Sequence, residues 1–295
     1  MTKKKLLITG ASGFLGYHLL RVAGNYEVYA IHHSKPIAFA ETTNIQCDIT
    51  NYIALGDVFE DVAPDAVIHA AAISDANYCQ QNKEQSYAVN VEATKNLAGI
   101  CSDYNIPLAF TSTDLVFDGR KGMYKEDDEK NPLNAYGEQK SIAEEEVLKI
   151  YPQATVFRLP MMFGAAEASS ANYLQKFTAQ LKAGQTASLF YDEYRSACGA
   201  KSIAEGMLKL MQNNNGVIHL AGNEKLSRYD FGLLAAEAFS LNQKLLQPCS
   251  QKDVKMAAPR PADVSLDISK ALSLGFTPLA VQHELILIAG KTYFL

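Results

Sequence analysis

No tryptophan occurs in the 295 residues, and cysteine is sparse: Cys47, Cys79, Cys101, Cys198 and Cys249. The number is odd, the spacings are wide and no C-x-x-C pair occurs. Buried free thiols in a reducing compartment are therefore expected, not disulfides or a metal cluster. His32 and His33 have no neighbour at zinc-like spacing, so no metal site is expected. No apolar run approaches the ~20 residues needed to span a bilayer. The basic start Lys3-Lys4-Lys5 leads into an apolar run that fails at once, at Thr9-Gly10-Ala11-Ser12-Gly13. No secretory leader is read, and a cytoplasmic location is expected. Positive charge is not in excess: a net charge of -5 argues against nucleic acid and anionic membranes as partners. It leaves room for an anionic small molecule at a locally basic site.

The remaining composition, 48% hydrophobic and 20% charged, is that of a globular protein, and the length suits one large α/β domain or a main domain with a smaller cap. Short β-rich runs at residues 5–9, 27–32, 45–47, 66–70, 107–111 and 155–159 alternate with helical periodicity at 13–23, 51–60, 83–104 and 135–150. This alternation predicts right-handed crossovers and a doubly wound parallel sheet. Such a sheet takes ligands at the carboxyl ends of its strands. After residue 164 the pattern weakens. Helices are expected at 172–183 and 202–212, a strand returning to the sheet at 216–220, and a helix through 239 that starts on a Ser227/Asp230 capping pair. A last short helix is expected to end near Gly275. We expect residues 1–164 with 200–221 to form a dinucleotide-binding domain. Residues 165–199 with 222–295 would form a discontinuous substrate-binding region.

Gly10, Ser12, Gly13, Phe14, Leu15 and Gly16 join the first strand directly to the first helix. Glycines there permit the tight turn and close backbone approach to a pyrophosphate, which the free N–H groups of a helix N-terminus then hold. After the second strand, where an acid often grips the adenosine ribose, stand His32, His33, Ser34 and Lys35. Ser34 and Lys35 suit a 2′-phosphate, so NADP(H) is favoured, with NAD(H) as the alternative. Asp48 and Ile49 follow the third strand, where they would edge and pack an adenine; a plain helix N-cap is the other role for Asp48.

Tyr136 and Lys140 share a helix face at i and i+4. An ammonium beside a phenol lowers its pKa, which suits a general acid/base, and Thr113 at a strand end would hold the reacting oxygen. With 15 Tyr, about one such spacing arises by chance, so context carries the reading: this pair follows the Thr113 strand in a chain that opens on a nucleotide turn.

The chain resembles the extended short-chain dehydrogenase/reductases and, among them, the dTDP-4-dehydrorhamnose reductase group. The resemblance runs through residues 9–16, 67–72, 87–91, 131–140, 158–164 and 260–267. Its most specific element is Ser112-Thr113-Asp114-Leu115-Val116-Phe117-Asp118-Gly119. It implies a Rossmann-type fold and a catalytic triad of Thr113, Tyr136 and Lys140, with Lys140 also holding the nicotinamide ribose. It further implies that Ala70, Ala71 and Ala72 line the cofactor channel, that Ser74 and Arg260 face a sugar nucleotide, and that Asn90 orders its helix. The implied reaction is NADP(H)-dependent reduction of a nucleotide-linked 4-keto-6-deoxysugar. Leu115 stands where an aromatic is common, and residues 191–200 lack the usual Pro-Thr, so the departures fall in the substrate region. A sugar-nucleotide epimerase or dehydratase, and a nucleotide-binding regulatory subunit resembling methionine adenosyltransferase β, are the alternatives. Residues 126–129 and 144–146 read as solvated acidic faces. A homodimer is the base-rate assembly.

Overall fold

The computed structural model describes residues 2–34, 36–37, 39–165 and 172–290. Strands β1 (Lys4–Thr9), β2 (Tyr26–His32), β3 (Thr42–Gln46), β4 (Ala66–His69), β5 (Leu108–Thr113) and β6 (Thr155–Leu159) are joined by a later strand, β11 (Gly216–His219). They form one parallel sheet in the order β11-β6-β5-β4-β1-β2-β3, a Rossmann-type arrangement. The inner strands are buried on both faces, as parallel strands covered by helices are, with the polar Thr111, Ser112, Thr113 and Arg158 buried among their apolar residues. Complete burial of each Leu or Ile stabilises by about 1.5–3 kcal/mol.

Side chains alternate across the sheet. Leu6 and Ile8 join the core under α1 (Phe14–Val22) and α8 (Ala200–Leu210), while Leu7, Val67 and Phe110 join the core under α2 (Tyr52–Val62), α5 (Ala93–Asp103) and α6 (Ala135–Ile150). The strand order reverses between β1 and β4, and this switch point opens a cleft at their carboxyl ends.

The segment expected as one helix over 83–104 is broken. It consists of α4 (Lys83–Tyr87), a π turn (Ala88–Glu92) and α5, preceded by a short α3 (Ala76–Gln81). Asn90 in the π turn accepts from the Ile73 N–H (2.9 Å) and donates to the Ile73 carbonyl (3.0 Å) and to Gln139 (2.8 Å). A side chain committed to three distant groups fixes a bulge that local propensity does not encode.

A second region carries β7 (Met162–Phe163), α7 (Tyr173–Lys182), β8 (Ala187–Phe190), β9 (Tyr194–Arg195), β10 (Cys198–Gly199), β12 (Leu226–Ser227), α9 (Arg228–Ala238) and β13 (Leu246–Cys249). Its strands pair in three small two-stranded sheets around a core that includes Phe163, Phe177 and Phe231. The capping box of Ser227 and Asp230 forms as expected. After α10 (Ser269–Ser273) the chain adds a helix that the sequence reading did not include, α11 (Val281–Ala289). Its Glu284, fully buried, accepts from the Gly199 N–H (2.8 Å) and the Ser202 hydroxyl (2.9 Å), and so caps the start of α8. Four of the cysteines are buried, Cys249 is half-buried, and all are free. Among the described residues no helix is long and apolar enough to cross a membrane, and no cluster of metal-ligating side chains occurs.

Candidate active site

The turn after β1 is built by glycine. Gly10 has φ +70°, and a Cβ there would lie 2.5 Å from the Ala71 backbone nitrogen. Gly16 has no room for a Cβ against the Gly10 and Ala11 backbone, so α1 rests directly on the turn. A cavity of about 580 Å³ extends from this turn along the switch point, lined by Gly10, Ser12, Gly13, Asp48, Ile49, Ala70, Ala71 and Ala72.

Other expected cofactor residues serve differently. Leu15 is in the core and the Phe14 ring packs edge-on against His18 at 5.1 Å. These two, with Gly16, therefore contribute the N-terminal turn of α1 and its packing, not a lining of side chains. Ser34 is exposed and is not among the residues lining the cavity; Lys35 lies outside the described residues. The residues that do line the cavity at the end of β2 are Ile31, His32 and His33, which the expected cofactor set did not include. His33 Nε2 stands 3.9 Å from Asp48. Asp48 is not the cap of α2: its Oδ1 accepts from the Thr50 N–H and hydroxyl, and Asn51 caps the helix.

The floor of the cleft is tied by a chain of buried hydrogen bonds. His69 bridges Thr9 (2.7 Å) and Thr94 (2.9 Å), Thr94 donates to the Asn90 carbonyl (2.9 Å), and Asn90 reaches Gln139 on α6. Burial, with the nearby Lys140, pushes the His69 imidazole down to about 3, so it sits neutral between the two hydroxyls.

Helix α6 begins as expected, with Asn134 Oδ1 accepting from the Gly137 N–H at 3.0 Å. Asn134 also donates to the Pro259 carbonyl (3.0 Å), which docks the Pro259-Arg260-Pro261 segment on the helix start. Tyr136 and Lys140 share the buried face of α6. Gly137 between them is required, because a Cβ would collide with the Leu115 carbonyl. Its absence lets α6 lie against the 3₁₀ turn (Asp114–Val116) that follows Thr113.

The expected electrostatics of the pair are not what the structure has. Burial, with Cys79 and Asp114 adding to it, pushes the Tyr136 phenol well above its ordinary value, and Lys140 does not offset this. The Lys140 ammonium instead lies over the Phe110 ring, 4.1 Å from its centre, with no hydrogen-bond partner among the described residues. Burial pushes it down to about 7. Thr113 is committed too: its hydroxyl donates to Asp114 Oδ1 (3.2 Å) and accepts from the Leu115 N–H (3.3 Å).

Around Asp114 the fold assembles charges that sequence spacing does not reveal. Arg195 Nε stands 3.5 Å from Asp114 and its Nη2 3.2 Å from Glu193, while Arg260 reaches Glu193 at 3.7 Å. Burial pushes the Asp114 carboxyl up to about 6, with Arg195 acting against it. The Arg228 guanidinium lies 4.0 Å over the Tyr173 ring. Ser74 is exposed, as is Arg260. Glu144, expected in a solvated face, is buried in a bidentate pair with Arg158 (2.9 and 2.8 Å).

The residues present fit a nicotinamide dinucleotide. A glycine turn that a Cβ would block suits a pyrophosphate, and the orphaned buried ammonium of Lys140 suits the hydroxyl oxygens of a ribose. His33 lines the same cavity as the glycine turn.

Known proteins share the sequence pattern and the fold of this chain. The sequence profile of the RmlD substrate binding domain matches residues 4–289. The probable low-salt glycan biosynthesis reductase Agl14 of Haloferax volcanii is 32% identical over 268 residues, covering 89% of each chain. Methionine adenosyltransferase 2 subunit beta of Xenopus laevis is 29% identical over 290 residues, covering 94% of this chain and 85% of that one. The structure of dTDP-4-dehydrorhamnose reductase from Bacillus anthracis in complex with NADP superposes with a TM-score of 0.88 at 21% identity, covering 98% of this chain and 100% of that one.

Proposed function

The chain belongs to the RmlD substrate binding domain family, and from that membership we propose that it is an NADP(H)-dependent reductase of a nucleotide-linked 4-keto-6-deoxysugar. The observation that carries the reading is the Lys140 ammonium, buried without a partner among the described residues one helical turn from Tyr136, over Phe110 and close enough to His69 to act on its charge. NADPH, when bound, would supply the hydride to the carbonyl carbon.

The protein's own residues do the rest. Tyr136 donates its phenolic proton to the carbonyl oxygen, a role worth about 10²–10⁴-fold in rate. Lys140, engaging the ribose hydroxyls, carries its charge near the phenol and so brings the Tyr136 pKa down from the value that burial alone imposes. Thr113 turns its hydroxyl from Asp114 toward the reacting oxygen, and Asp114 is then left to Arg195. Gly10, Ser12 and Gly13 face the pyrophosphate, Asp48 and Ile49 the adenine, and Ala70 to Ala72 the nicotinamide half. His33 with Ser34 and Lys35 favours a 2′-phosphate, hence NADP(H) over NAD(H). Ser74 and Arg260 are assigned to the sugar nucleotide. In this reading residues 1–164 with 200–221 bind the dinucleotide, and 165–199 with 222–295 bind substrate.

The 29% identity with a methionine adenosyltransferase β subunit supports a second reading, a nucleotide-binding subunit that acts on a catalytic partner. One assay separates the two. NADPH and NADH consumption is followed with a panel of nucleotide-linked 4-keto-6-deoxysugars, with Tyr136→Phe in parallel. Turnover lost in the variant supports the reductase. A nucleotide-linked hexose that keeps its 4- and 6-hydroxyls, included in the same panel and converted without net NADPH oxidation, points to epimerase or dehydratase chemistry. NADPH binding without any sugar conversion moves the subunit reading ahead.

A further inference from the structure

Glu193 is 1% exposed, and its two carboxylate oxygens are treated unequally. Oε1 takes both guanidiniums, Arg195 at 3.2 Å and Arg260 at 3.7 Å. Oε2 is buried with no hydrogen-bond partner among the described residues. The position is rigidly set: the Glu193 carbonyl accepts from the Arg228 N–H (2.9 Å), and the next two residues form β9, paired with β12. Through Arg195 and Asp114 the carboxylate is two ionic contacts from Thr113.

A buried charged acceptor without a donor is costly, and this one, two ionic contacts from Thr113 and joined to the exposed Arg260, awaits a donor from outside. Charge decides which donor. A cation would meet Arg195, Arg228 and Arg260, and a phosphoryl group would meet the carboxylate itself. A neutral hydroxyl suffers neither repulsion. The Tyr173 ring lies under the Arg228 guanidinium, and its hydroxyl is a second neutral group near Glu193.

We propose that Glu193 Oε2 accepts a hydrogen bond from a ring hydroxyl of the substrate sugar and so selects glycosyl groups that carry it. This rests on the reading that the substrate is a sugar nucleotide, and it makes Glu193 a specificity residue that the expected substrate set, Ser74 and Arg260, did not include.

The test titrates NADP-loaded protein calorimetrically with a nucleoside-diphosphate hexose and with analogues each lacking one ring hydroxyl. One deoxy analogue is expected to bind wild type about ten- to a hundredfold more weakly than the parent. In Glu193→Gln that ratio falls to near one while NADP affinity stays unchanged. Glu193→Asp keeps a charge for Arg195 but withdraws the free oxygen, so lost discrimination at an unchanged melting temperature separates contact from folding. Equal ratios in wild type and variants overturn the role of Glu193 and leave the reductase reading standing. A wild-type protein that binds no nucleotide sugar overturns both, and NADPH consumption in the same samples records which reading fell.

Discussion

The Lys140 ammonium rests 4.1 Å from the centre of the Phe110 ring, on the one strand that also ends in Thr113. Burial holds its folded pKa at about 7, below the 10.5 of a solvated lysine. Between those values the unfolded chain binds more protons, so stability rises with pH through that window and falls as pH drops through 7. Lys140→Met is expected to flatten this dependence. Urea midpoints at pH 6.5 and 9 check it; an equal pH slope in both proteins would refute the assignment.

Cofactor binding should reverse the depression. Ribose hydroxyls that accept from the ammonium favour its charged form. Binding of NADP at pH 8 is therefore expected to take up a proton in wild type and none in Lys140→Met. Calorimetry in buffers of different ionisation enthalpy reads the proton count directly.

Arg195 opposes the burial of Asp114, whose carboxyl stands at about 6. Arg195→Met removes that opposition, so the Asp114 pKa should move upward. The acidic limb of the kcat/KM profile is expected to shift to higher pH, with the alkaline limb unmoved. A profile that keeps its acidic limb would assign that limb to another group.

Gly137 lets α6 touch the Leu115 carbonyl. Gly137→Ala should cost about 1–3 kcal/mol of stability through overpacking. Because the displaced helix carries Tyr136 and Lys140, turnover should fall more than NADPH affinity does. Thermal melting with single-turnover kinetics tests both halves of the expectation.

The pair of Glu144 and Arg158 is buried at both ends. Glu144→Gln strands a guanidinium and should destabilise by about 3–5 kcal/mol. Glu145→Gln, two-thirds exposed in its side chain, should change little. Denaturant midpoints of the two variants, adjacent in sequence, make the comparison.

Much of this was legible from the sequence because it is local. The β/α alternation, the Asn134 cap and the shared face of Tyr136 and Lys140 depend on residues a few positions apart. The π turn at Asn90 was not legible, because Ile73 and Gln139 fix it from 17 and 49 residues away. Glu144 reads as surface until Arg158 arrives from the neighbouring strand. The charges of Asp114, Glu193 and Arg260 are spread over about half of the chain, and only the fold brings them together. The Tyr–Lys spacing gave the helix face correctly but not the sign of the tyrosine shift, which depends on burial that spacing does not report.

Strand β11 enters the sheet beside β6 only after the chain has passed through the second region. The two units are therefore interlaced, and no single cut separates them. A fragment stopped at residue 164 would end with β6 as a bare edge, its Thr155–Leu159 backbone open to pairing with other chains. Aggregation of such a fragment is the expected outcome, and function cannot be dissected by truncation; the regions must be probed by point changes within the intact chain.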